Sequence, residues 1–340
     1  SGPLSIRDLS IIGTERVSTK ERGLLVENGR NIVIERVHMT GSFVTLCELS
    51  HCVDCVVDRV VADQTSMYSK IDGVTLGQQY GLAIGNCQNV TVNSSTLVGI
   101  RHGVTLGGLP DRWDLVNRQI CISNCHISTL TSDSTAAIDA HGNAEYYTFH
   151  DNYVFGTISV AGQYGRIINN QIFSECSGIQ CNELKSLEHE IKGNTMHCRS
   201  ELGEKTERKI DNGKTEVTQH HHGAILIALY HYTNQSAGPI VISNNRIVID
   251  QSDGTVLTMF NQSSNYLAEV VFIDNYAFCS IVETISPKPA FPPGPLTFLR
   301  VVQNGIRKLT ARRNILKNCS DAPPSGVTVY LHSDNDCEVT

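Results

Sequence analysis

The chain reads as an all-β protein, a right-handed parallel β-helix (β-solenoid) of about ten or eleven coils with loop insertions. Three observations predict it. Short strands recur with apolar residues at every second position; an Asn or a substitute recurs between two of them; and the repeats vary in length, as coils carrying insertions do. The whole of residues 1–340 is expected to form one such domain. A β-propeller would need antiparallel hairpins with two-residue turns, and those turn signals are sparse.

The first element of each repeat is an alternating strand, seen at Ile32-Val33-Ile34, Val90-Thr91-Val92, Ile120-Cys121-Ile122 and Ile240-Val241-Ile242. The spacer residue follows: Asn152, Asn170, Asn194, Asn245, Asn275 and Asn314, with Arg36, Arg59, Ser95 and Cys125 in its place earlier on. Asn suits this position because it tolerates left-handed backbone and its amide can bond the coils above and below, so a ladder is expected. A second short strand comes next.

The third strand supplies most of the functional reading. Side chains alternate across a strand, so Leu82/Ile84, Val104/Leu106, Ile138/Ala140, Ile158/Val160, Ile179/Cys181 and Ile225/Ile227 are expected to fill the bore. The residues between and after them then face outward and form a ribbon along the axis. On that ribbon Asp139 and His141 are the ionisable pair, with the small residues Thr105, Gly107, Ser159 and Ala161 around them. Small neighbours predict a shallow depression. Gln180, Asn182 and Glu183 extend it two coils away, and Arg101 and His102 border it on the other side. The alternative for each is a solvated surface side chain or a turn cap.

Two insertions stand out. The segment from Arg199 to His222 is too polar for a core and is expected to be a solvent-facing flap. The run from Ser286 to Pro295 is Pro-rich and extended. His220, His221 and His222 suggest a metal site, but three consecutive His cannot all face one ion, so an exposed turn is the expectation and no metal or cofactor is assigned. The insertion with Asp111, Arg112, Trp113 and Asp114 lies beside the outward ribbon. Its Trp113 is either an anchor under the loop or a platform for a sugar ring.

Composition limits the function. A net charge of −7 argues against a nucleic-acid binder, which would present a basic face. Apolar runs are too short to span a bilayer, so no membrane insertion is expected. Most of the 12 Cys sit inside β-like runs, where a thiol serves as a small core residue. Cys52 and Cys55 have the spacing of a metal pair, but no second pair follows at zinc-ribbon distance. Reduced thiols and folding in a reducing cytoplasm are therefore expected.

Two stretches, Gly99 to Gly108 and Ala136 to Asn143, resemble segments of bacteriophage tailspike and pre-neck appendage proteins of the pectate-lyase-like β-helix superfamily. The resemblance in fold covers nearly the whole chain; the two motifs cover about twenty residues of it. It implies a trimeric virion tail adhesin that recognises a bacterial surface polysaccharide, capsule or O-antigen, and depolymerises it. The alternative is a glycan-binding adhesin without catalysis. No N-terminal virion-binding or C-terminal trimerisation domain is recognised, and Ser1-Gly2-Pro3 reads as a cloning remnant, so a fragment of a longer tailspike is expected.

Two chemistries fit the candidate residues. A hydrolase, the favoured reading, uses two carboxylates flanking the glycosidic bond, and Asp139 can pair with Glu183, Asp111 or Asp114. A lyase uses a base for the proton next to a uronate carboxyl and a cation for the charge that develops, roles that fit His141 and Arg101.

Overall fold

A computed structural model describes residues 4–13, 22–41, 43–65, 79–107, 116–130, 136–141, 144–184, 188–198, 205–209, 215–219, 223–229, 239–249, 255–261, 268–279, 297–302, 306–317, 329–331 and 338–339. The described secondary-structure elements are strands, arranged in parallel as a β-helix. Most coils contribute two strands to a 21-stranded sheet and one to an 11-stranded sheet, the long strands Leu4–Ile12 and Arg30–Thr40 serving singly in the first two. Consecutive coils pair in register, as in Val90–Ile120–Tyr147 of the first strand and Leu82–Val104–Ile138–Ile158–Ile179–Ile225 of the third. No coil can bury its apolar face alone. Stacking makes one continuous core, and all twelve third-strand residues expected inside are buried there.

Left-handed backbone turns each coil at fixed places. One series runs through Arg36, Arg59, Ser94, Asn124, Asp151, Asn169, Asn244, Asp274 and Arg313. This corrects the expectation for the spacer Asn, because the left-handed residue is the one before it. In the two early coils Arg36 and Arg59 hold that turn, and Val37 and Val60 occupy the buried position that follows. From Asn152 to Asn275 the spacer Asn is buried, and it works through its amide. Asn152 Nδ2 donates to Asn170 Oδ1 at 3.0 Å, Asn170 to Asn194 at 3.0 Å, and Asn194 to Asn245 at 3.0 Å. Asn245 continues to Asn275 at 2.9 Å and Asn275 to Asn314 at 3.1 Å. The second amide hydrogen goes to a backbone carbonyl, as from Asn194 to Ile167 at 2.9 Å. A buried polar column is tolerable only because its members are satisfied in this way.

At another corner thiols take the amide's place. Cys52 donates to the Val26 carbonyl at 3.3 Å, Cys87 to the Leu49 carbonyl at 3.4 Å, and Asn117 Nδ2 to the Ile84 carbonyl at 3.0 Å. Nine of the described cysteines are free thiols, seven of them buried. Burial pushes the Cys47 and Cys181 thiols up to about 12, which keeps them protonated and inert.

The polar insertion after Cys198 holds an antiparallel ribbon, Lys205–Lys209 against Thr215–Gln219. The Pro-rich run and His220 to His222 lie outside the described residues. Among those described, no cluster of three or more His, Cys, Asp or Glu could hold a metal ion.

Candidate functional site

The outward column of the third strand runs Glu48–Ala83–Thr105–Asp139–Ser159–Gln180–Leu226 in register. Asp139 stands in the strand Ala136–Ala140 between Ile138 and Ala140, whose side chains fill the bore and leave its carboxylate no direction but out. Thr105, Ser159, Ala161 and Leu226 are buried although they point away from the core. These neighbours of Asp139 are therefore sheltered from solvent.

Asp139 joins two histidines. Its Oδ2 lies 3.1 Å from His141 Nε2 and 3.3 Å from His102 Nε2, and Ser159 bonds the same carboxylate. The carboxylate is 16% exposed, His141 36% and His102 only 4%, so the three form a path from interior to surface. His141 ends the strand and lies over Gly107, where a Cβ would come within 2.7 Å of its Cδ2. Glycine at 107 makes the room that the imidazole fills.

His102 reaches the carboxylate because its strand breaks alternation. A Cβ on Gly103 would strike Ile127 Cγ2 and the Leu97 carbonyl, each at 2.6 Å, so Gly103 faces inward like the following Val104. His102 is thereby turned outward. Its Nδ1 is 2.6 Å from the Ala136 carbonyl, and since a carbonyl only accepts, Nδ1 carries the proton. The buried Nε2 has no hydrogen-bond partner, the nearby Oδ2 of Asp139 lying outside bonding geometry. Tyr80 stacks on the ring with centroids 5.3 Å apart and an interplanar angle of 27°.

Burial works to raise the Asp139 carboxyl, yet it lies below its ordinary value. The hydrogen bond from His141, the charges of His141 and His102, and the Ser159 bond together outweigh the burial. Burial also dominates at His102 and pushes it down, against Asp139 and the Ala136 carbonyl, with Arg101 and His141 adding to the fall. Asp139 is thus biased towards its ionised form and the buried His102 towards its neutral form. An anion holding His141 by Nε2–H makes Nδ1 the basic nitrogen of that ring.

The structure brings together Asp139, His141, His102 and, through its charge on His102 and Tyr80, Arg101. Gln180 lies two coils from Asp139 on the same column. Asn182 and Glu183 belong to the strand Ile179–Leu184. Asp111, Trp113 and Asp114 lie outside the described residues. Sequence reasoning overlooked Tyr80, whose position directly before Gly81 and Leu82 matches that of His102 before Gly103 and Val104.

A parallel β-helix of stacked three-strand coils is the fold of the pectin lyase-like class of solenoid. The chain belongs to the Gp49, pectin lyase-like family, whose profile matches residues 39–256. No curated protein matches it in sequence. Its fold is similar to that of the tailspike gp61 of Pseudomonas phage phi297, with a TM-score of 0.69 and 18% identity over 96% of this chain and 50% of that one. The tailspike gp49 of Pseudomonas phage LKA1 gives 0.63 and 16% over 99% and 51%. The gp54 tailspike of Acinetobacter baumannii phage AP22, solved in complex with a capsular saccharide, gives 0.54 and 14% over 92% and 47%. The chain spans about half the length of these tailspikes.

Proposed function

We propose that this chain is the body of a bacteriophage tailspike that binds a bacterial surface polysaccharide, capsule or O-antigen, and cleaves its glycosidic bonds. The Asp139–His141 contact at 3.1 Å on a sheltered outer face carries this reading. The tailspike likeness in fold and the capsular saccharide bound by one of those neighbours support the choice of substrate class.

The site favours a base. Asp139 is held ionised, which makes it a poor proton donor and a good partner for the imidazole. His141, its Nε2–H directed to Asp139, takes a proton at Nδ1. In a β-elimination that proton comes from the carbon next to a uronate carboxyl; the electron pair becomes a carbon–carbon double bond as the glycosidic oxygen leaves. Arg101 supplies the cation for the charge that develops on the carboxyl. Hydrolysis is the second reading, favoured by the placement of Glu183 in the strand whose Gln180 lies two coils from Asp139. The protein is proposed to act as a homotrimer on the virion tail.

Purified capsules and O-antigens of candidate hosts provide the test. Release of reducing ends identifies an enzyme, and binding without release leaves an adhesin. Ultraviolet absorbance of an unsaturated product accompanies elimination and is absent from hydrolysis.

A further inference from the structure

Two tyrosines stand where the strands of Asp139 and Ser159 turn into the next coil. Tyr146 follows His141 by five residues, and Tyr164 follows Ser159 by five. The Ala144 N–H donates to the His141 carbonyl at 3.0 Å, and the Tyr146 N–H to the Gln163 carbonyl at 3.1 Å. With two chain steps beyond Ala144, the Cα of Tyr146 lies within roughly 14 Å of that of His141. The two rings stack nearly parallel, with centroids 4.6 Å apart and 10° between their planes. Tyr146 is 52% exposed although Tyr164 covers one of its faces, so the other face meets solvent.

Both tyrosines take left-handed backbone, at φ 54° and 55°. The same corner of the earlier coils holds Asn31, Asp54, Asn89 and Gln119, also left-handed. Asn and Asp tolerate that backbone, whereas a bulky ring is strained in it. A cross-strand aromatic pair steadies a sheet, but an ordinary strand position would supply that without strain. Polar groups surround the pair: Glu188, and Glu145, which accepts from Arg118 at 2.7 Å and from Gln163 at 3.4 Å. Tyr146, Glu188 and Glu145 hold the Tyr164 hydroxyl above its ordinary value, so it stays protonated.

We propose that Tyr146 and Tyr164 form a subsite for a neutral hexose unit of the polysaccharide, beside the unit held at Asp139. The inference rests on the polysaccharide reading of the Asp139 face and adds the class of sugar bound next to it. A pyranose presents a face of C–H groups, which packs on the open face of Tyr146 and expels water. Its hydroxyls then meet the exposed Gln119 of the preceding coil, the Glu145 carboxylate and the tyrosine hydroxyls. Charge selects against a uronate at this place. Glu145 and Glu188 are offset here by Arg118, since Arg166 is paired with Glu190. A further carboxylate would be repelled, whereas a neutral sugar is not.

The test is solution NMR of the full chain with isotope-labelled tyrosine rings. Methyl glucoside, methyl galactoside, methyl mannoside and methyl glucuronide serve as probes. At least one neutral glycoside is expected to shift the ring signals of Tyr146 and Tyr164, and the glucuronide to leave them in place. Tyr146→Asn installs the residue type that Asn89 supplies at the same corner. It is expected to weaken that binding roughly tenfold or more, while Tm holds or rises as the backbone strain is relieved. Tyr146→Phe keeps the ring face and should bind nearly as the wild type does. Ring signals that respond to none of the neutral glycosides overturn the proposal, and so does an equal response to the glucuronide. A Tm lowered by Tyr146→Asn with binding intact makes the pair structural and overturns it as well. On a polysaccharide that the wild type degrades, Tyr146→Asn should raise KM. Cleavage with KM unchanged defeats the subsite and spares the enzymatic reading. Binding of a neutral glycoside by a chain that cleaves no polysaccharide does the reverse.

Discussion

Asp139 Oδ2 and His141 Nε2 lie 3.1 Å apart, bridging over Ala140, whose methyl group points into the core between them. Two residues on one side of a β-strand are spaced for such a contact by the pleat alone, and the short side chains nearby let it face a ligand.

If Asp139 orients His141, the two should fail together. Asp139→Asn and His141→Gln are each expected to lower turnover by about 10²-fold or more, and the double variant little further, because they act as a unit. Initial rates on a polysaccharide that the parent degrades provide the check. Full activity in either single variant would remove that residue from the site.

Gly107 gives a sharper test of the imidazole's position. Gly107→Ala places a methyl 2.7 Å from His141 Cδ2, so the ring must move. An activity loss of roughly 10²-fold is expected with Tm nearly unchanged, since a misplacement of about 1 Å can cost that much. Unchanged activity would show that the ring position is not critical.

Acid stability should report on His102. Its folded value lies below the unfolded one, so the native state resists protonation that the unfolded chain accepts. The resulting stability is fully present above the unfolded imidazole value of about 6.5 and is lost as pH falls below it towards the folded value. Asp139 adds a second loss at lower pH, its stabilisation fading as pH falls through its own depressed value. Denaturant midpoints between pH 7 and 5 should therefore fall less in His102→Gln than in the wild type, and equal slopes would contradict the buried neutral state.

The amide ladder is the structural counterpart. Asn194 accepts from Asn170 N at 2.9 Å and Nδ2 at 3.0 Å, and donates to Ile167 O and Asn245 Oδ1. Asn194→Ala strands buried partners on both sides and should cost about 3 kcal/mol, read from urea unfolding. Asn314→Ala, at a half-buried position of the same ladder, should cost clearly less.

Much of this was legible beforehand, and the failures have local causes. Apolar alternation found the three strands and their inward residues because a two-residue period survives wherever strands stack in register. Asp139 and His141 were found by the same rule. It misleads at His102, where Gly103 turns inward beside Val104 and parity is lost, so a buried companion of Asp139 looked like a border residue. Tyr80 escaped for that reason too. The left-handed turn was assigned to the spacer Asn because residue type suggests it, whereas the preceding position, held by Asp151, Asn169 or Arg313, takes the turn and frees the amide to stack.

That stacking is indifferent to the length of chain between its members. Asn152 and Asn170 are 18 residues apart and Asn194 and Asn245 are 51 apart, yet both bonds measure 3.0 Å. Chain inserted at a corner of a coil leaves the spine undisturbed. Loops on such a scaffold can be lengthened, shortened or exchanged independently, so one coil can vary while the trunk that carries it stays the same.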